Sequence, residues 1–80
     1  MTKNVLYLSK SDPTCYYLLL DFVRLNILKY IKIIIVEENL DKVPDKINSV
    51  PALELFGINK ILYSNDIKEY VKIYGNEYVV

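Results

Sequence analysis

Histidine and tryptophan are missing from this chain, cysteine occurs once, at Cys15, and Arg24 is the single arginine. Without histidine there is no imidazole base and no histidine-ligated metal. One cysteine excludes an internal disulfide, and together these absences come close to excluding a zinc site. Charge of neither sign predominates: ten basic and ten acidic residues give a formal net charge of +0. Such a balance builds no strong field for nucleic acid, and single-strand binding also needs a basic groove beneath its aromatic residues. Long apolar runs are missing too. The longest, residues 15–20 and 33–36, fall far below the roughly 20 residues that cross a bilayer. Lys3 is followed only by the short apolar run 5–8 before Ser9, Lys10, Ser11 and Asp12, which is not the pattern of a secretory leader. The expected partners therefore include neither nucleic acid nor membrane, and the expected location is cytoplasmic, or inside a particle formed there.

What is present is globular in composition. Of the 80 residues, 52% are hydrophobic and 25% charged, which is one domain spanning 1–80 with no room for a second. A core of this size supports a stability of about 5 kcal/mol. Residues 4–8, NVLYL, read as a strand. Asp12 then offers a helix cap and Pro13 suits a first helical position, so a helix is expected over 13–26. Its core face should carry Cys15, Leu18, Leu19, Phe22, Val23 and Leu25 or Asn26, with Asp21 and Arg24 facing away. Residues 31–37, IKIIIVE, are β-branched and almost wholly apolar, as expected of a central strand buried on both faces. Strand, helix and strand in that order predict a right-handed parallel unit.

Residues 38–48 are polar around Pro44 and predict little beyond one short helical turn. Residues 52–56 and 61–63 read as strands joined by the turn Gly57-Ile58-Asn59-Lys60. Ser64 or Asn65 can cap a last helix carrying Ile67, Tyr70, Val71 and Tyr74 at helical spacing, with Gly75 ending it. The sum is an α/β fold with a four-stranded mixed sheet, its strands near Val5, Ile33, Leu53 and Leu62, and Leu19, Phe22, Ile34 and Leu53 in the core.

One stretch resists a routine reading. SVPALEL, residues 49–55, places proline at the entrance of a strand, where its missing N–H weakens the ladder. Either the strand is an edge, or the Val50–Pro51 bond is special, for instance cis and beside a site.

The order β-α-β, connection, X-Pro, β-hairpin, α resembles the thioredoxin fold in its short, glutaredoxin-like form. Three segments carry the resemblance, which covers nearly the whole chain. VLYLSKSDPTC resembles the strand and loop that carry Cys-Pro-x-Cys into the first helix. SVPALEL resembles the segment with the family's cis-proline, and YSND the turn that opens the last helix. VPALELFGINKILYSNDIKEYV also resembles the second half of the glutathione transferase N-terminal domain. The resemblance implies that Val50 and Pro51 offer backbone groups to a thiol peptide or to glutathione, a small-scale strand addition. It further implies that Ser64, Asn65 and Asp66 hold the charged γ-glutamyl end of glutathione, although Ser-Asn-Asp is also plain helix-start composition.

The chain departs from the family where the chemistry lies. Thiol–disulfide exchange needs an exposed thiolate at a helix N-terminus, where the dipole lowers its pKa, and a second thiol to resolve the mixed disulfide. Aligning Pro13 with the family proline puts Asp12 in place of the attacking cysteine and Cys15 at the second position. Asp12 then has a capping role, and Cys15 is either a small core residue or the thiol of a monothiol enzyme.

Two functions follow. The first is a redox-silent, thioredoxin-like module that binds a protein partner or serves a structural role. The alternative is a monothiol, glutathione-dependent oxidoreductase acting through Cys15. No cofactor is expected beyond glutathione itself. Tyr16, Tyr17, Tyr70, Tyr74 and Tyr78 suit either a protein interface or the rim of a small core, and a homo-oligomer is open. The wealth of Ile, Asn, Lys and Tyr suggests an AT-rich genome and is similar in style to short thioredoxin-like proteins of large DNA viruses, which implies a virion or virus-factory protein.

Overall fold

The computed structural model describes residues 4–24 and 31–78, with side chains to residue 73. Strand β1 (Asn4–Leu8) leads into helix α1 (Pro13–Arg24) and strand β2 (Ile31–Ile35). Strands β3 (Ala52–Leu55) and β4 (Lys60–Tyr63) form a hairpin, and helix α2 (Ser64–Tyr78) closes the chain. The four strands make one mixed sheet in the order β2-β1-β3-β4. β1 and β2 run parallel, with Leu6 opposite Ile33, while β1–β3 and β3–β4 are antiparallel, with Leu6 opposite Leu53 and Leu53 opposite Leu62.

Period-two alternation divides β1 and β3 between two apolar layers. Leu6, Leu8, Leu53 and Leu55 face the helices, where Phe22 and Cys15 of α1 and Ile67 and Val71 of α2 complete the core. Val5, Tyr7 and Ala52 face the other way, against Val43 and Ile47 of the 36–50 connection. Each fully buried large apolar side chain here contributes about 1.5–3 kcal/mol relative to exposure. The turn 56–59 between β3 and β4 holds Asn59 at φ 53°, which asparagine tolerates better than most residues. The Asn4 side chain accepts from the Phe56 N–H at 3.1 Å and ties that turn to the start of β1.

Five expectations need correction. Among the described residues β2 is an edge strand, not a central one. Its apolar run reports cover on its faces, Ile33 and Ile35 from the helix side and Ile34 from the opposite layer. Cover on a face says nothing about neighbours along the sheet, and the β3–β4 hairpin takes the far side of β1. Val23 is 53% exposed instead of buried, because Leu18 and Phe22 take the centre of the α1 core face. Leu19 is half-buried and packs at the margin of the core. Helix α2 continues through Gly75 to Tyr78, with no described glycine in the left-handed conformation that a glycine stop uses. The connection forms two single 3₁₀ turns, Val36–Glu38 and Leu40–Lys42, where one was expected. The expected end of α1 at Asn26, its core-face position at Leu25 or Asn26, and the side chains of Tyr74 and Tyr78 lie outside what the structure describes.

Candidate functional site

The strand registers bring three separate segments to one end of the sheet. Tyr7 pairs with Ala52, and Ala52 with Tyr63. One residue further along each strand, Leu8, Pro51 and Ser64 therefore stand in a row. The loop into α1, the Val50–Pro51 segment and the start of α2 all leave the sheet at this end.

The loop of residues 9–12 is fastened from two sides. Asp12 Oδ1 accepts the Thr14 N–H at 2.9 Å, and the Asp12 carbonyl accepts from Cys15 and Tyr16, so Asp12 is the N-cap of α1. From the end of β2, Glu37 reaches back to the loop. Its carboxylate accepts from the Ser9 hydroxyl, from the Lys10 N–H at 3.1 Å and from the Ser11 hydroxyl at 3.2 Å. These donors, the Ser9 hydroxyl foremost, hold the Glu37 carboxyl down to a pKa of about 2.

Cys15 lies beneath this loop and is only 1% exposed. Burial pushes its thiol pKa up. A backbone hydrogen bond from Ser9 pulls the other way, while the charge and hydrogen bond of Asp12 and the charge of Glu37 add to the rise. Two carboxylates thus surround the place where a thiolate would need cations. Cys15 also borders a recess of about 210 Å³ together with Leu8, Lys10, Tyr16, Leu19 and Ile35.

The Val50–Pro51 peptide bond is cis. Pro51 is buried, and Val50 is half-buried with its side chain against both apolar layers. The described strand pairing of β3 stops at Ala52, two residues short of the Val50 backbone. Ser64, Asn65 and Asp66 are exposed at the start of α2. Ser64 sits at φ 30°, a conformation costly to a residue with a side chain, of order 1–3 kcal/mol. Asp12, Cys15, Val50, Pro51, Ser64, Asn65 and Asp66 thus belong to one end of the molecule, although no described hydrogen bond joins the three segments.

Two polar groupings escaped the sequence reading. Glu37 is one; as the last residue of an apolar run it gives no local sign of a partner 27 positions away. The other is Glu54, 4% exposed, which accepts from the Tyr7 hydroxyl at 2.9 Å and pairs with Lys46 at 2.5 Å. An acid within the apolar strand ALEL was the available signal. Burial, followed by the Glu54 hydrogen bond and charge, raises the Tyr7 phenol to about 12.

Among the described residues no group of three or more Cys, Asp or Glu side chains is placed to hold a metal ion, and no helix is long and apolar enough to cross a membrane. No protein-family model matches the chain, and neither does any curated protein or solved structure.

Proposed function

We propose that this chain is a redox-silent, thioredoxin-like module that binds a protein partner at the sheet end formed by Asp12, Val50–Pro51 and Ser64–Asp66. The observation that carries the reading is the pairing of Asp12 with Cys15. The helix N-terminus that would stabilise an attacking thiolate is occupied by a carboxylate cap, and the thiol present is buried with its pKa raised. The mixed sheet in the order β2-β1-β3-β4, with the loop into α1, the Val50–Pro51 segment and the start of α2 at one end, supports the thioredoxin-like assignment. The unpaired end of β3 suits an extended peptide, which would add backbone hydrogen bonds there. The strained Ser64 at the neighbouring helix start agrees with a binding role, since such strain gathers at functional positions. In this reading the protein acts in the cytoplasm or as a component of a virion, and needs no cofactor.

The monothiol, glutathione-dependent enzyme remains the second reading because Cys15 borders the recess beneath Lys10 and Tyr16. Glutathione held by Ser64, Asn65 and Asp66 would have to reach the thiol through that opening.

Labelling of the native protein with a small thiol reagent separates the two. A silent module labels at the rate of its unfolding, many times slower than a free thiol. Asp12→Cys rebuilds Cys-Pro-x-Cys with Cys15 as resolver, and the new thiol labels fast at neutral pH because the helix N-terminus lowers its pKa. Rapid labelling of Cys15 in the folded natural chain would overturn the silent reading.

A further inference from the structure

The sheet stops at β2, and among the described residues no strand pairs with its outer side. A strand edge presents backbone N–H and C=O groups that another chain can match. Just past β2, the Asn39 amide donates to the Ile35 carbonyl at 3.0 Å. Beside the edge lies a flank of α1. Tyr16 and Leu19 share a recess with Ile35, so this flank adjoins β2, and Leu20 and Val23 follow Tyr16 at helical spacing. Tyr16, Leu20 and Val23 are 59%, 44% and 53% exposed. Tyr17, 65% exposed, meets the Tyr16 ring edge-on at 5.7 Å. The outward stripe of a surface helix is ordinarily polar; here it is apolar.

We propose that this edge and flank form the interface of a homodimer. β2 pairs antiparallel with β2 of a second copy about a two-fold axis through Ile33, and the two α1 flanks pack together above the joined sheet. A two-fold contact requires a patch that matches itself. In this register Ile31 faces Ile35 of the other copy and Ile33 faces its counterpart. Lys32, the one charged residue of β2, faces Ile34 and not another lysine. On the flank, Asp21 and Arg24 are already paired at 2.7 Å and add no net charge. The opposite edge, β4, suits self-pairing less well, because the groove beside it sets Asp66 and Glu69 against Lys60 alone.

The available area argues for a weak contact. The exposed parts of Tyr16, Tyr17, Leu20 and Val23 supply roughly 350 Å². A stable dimer buries about 800 Å² on each partner, and the β2 edge makes up part of the difference. Interfaces of standard size reach micromolar affinity or better, so this smaller one should have a dissociation constant above about 1 μM and come apart on dilution. The proposal goes beyond the redox-silent reading and does not depend on it.

Sedimentation of the full chain across a concentration series, from micromolar to millimolar, tests the interface. The expected result is a reversible monomer–dimer equilibrium that Leu20→Glu weakens by at least about tenfold, with the circular dichroism spectrum unchanged. Ile33→Cys provides an independent arm, because residues facing across a two-fold strand pair lie within disulfide reach. Mild oxidation should cross-link that variant through position 33 much faster than an Ile73→Cys control. A chain that stays monomeric throughout, one that grows into open-ended aggregates, or equal cross-linking of the two variants would each overturn the proposal.

Discussion

The Tyr7 hydroxyl donates to the Glu54 carboxylate at 2.9 Å, from β1 to β3, on the sheet face opposite the helices. Lys46 closes on the same carboxylate from the connection, so one buried acid holds the 36–50 segment to the sheet. A buried carboxylate that loses a donor loses more than one hydrogen bond. Tyr7→Phe should therefore lower stability by about 1–3 kcal/mol. A double-mutant cycle with Lys46→Ala should show coupling of at least about 0.5 kcal/mol, because both partners serve one acid. Additive losses would mean that Glu54 does not join them.

The same phenol sets an alkaline limit. Its folded pKa of about 12 lies above the ordinary 10, so the folded state holds the proton more tightly. That contribution is complete below pH 10 and is lost as pH rises from 10 toward 12. Thermal unfolding across this window should fall more steeply for the natural chain than for Tyr7→Phe.

Glu37 acts at the acid end with the opposite sign. Its folded pKa of about 2 lies below the ordinary 4.5, so its contribution is complete above pH 4.5 and is lost as pH falls toward 2. Glu37→Gln should flatten the acid limb of stability and loosen the 9–12 loop, seen as faster amide exchange at Lys10. An unchanged acid limb would show that the three hydrogen bonds at Glu37 do not persist in solution.

The two sides of α1 should differ sharply. Phe22 is fully buried and Val23 is 53% exposed. Phe22→Ala should cost roughly 3–5 kcal/mol, close to the whole stability of a domain this size. Val23→Ala should stay within about 0.5 kcal/mol. Denaturant midpoints of the two variants compare them directly, and similar losses would mean that α1 is rotated about its axis.

Local chemistry made most elements legible. Asp12 and Pro13 marked the start of α1, alternation marked the strands, and the Ser64 region marked α2. Position within the sheet was not legible for β2, because Ile33, Ile34 and Ile35 are covered by layers above and below whichever strands lie beside them. Val23 misled because its spacing fits the core face, while its exposure depends on how α1 is tilted against the sheet. Gly75 could stop a helix or ride within it, and nothing local to it decides which. At the site, Asp12 and Cys15 could be read from an adjacent pattern. Glu37 and Lys46 could not, since each acts on a residue brought near only by the fold.

Turnover reports most directly on whether Cys15 acts as a nucleophile. A glutathione mixed disulfide is offered to the natural chain with excess glutathione, and the rate is compared with that of the uncatalysed exchange. A buried thiol with a raised pKa beneath a carboxylate cap predicts no rate above that background, and no change on Cys15→Ser. Clear glutathione-dependent turnover by the natural chain, abolished by Cys15→Ser, would contradict the account and make Cys15 the nucleophile of a monothiol enzyme.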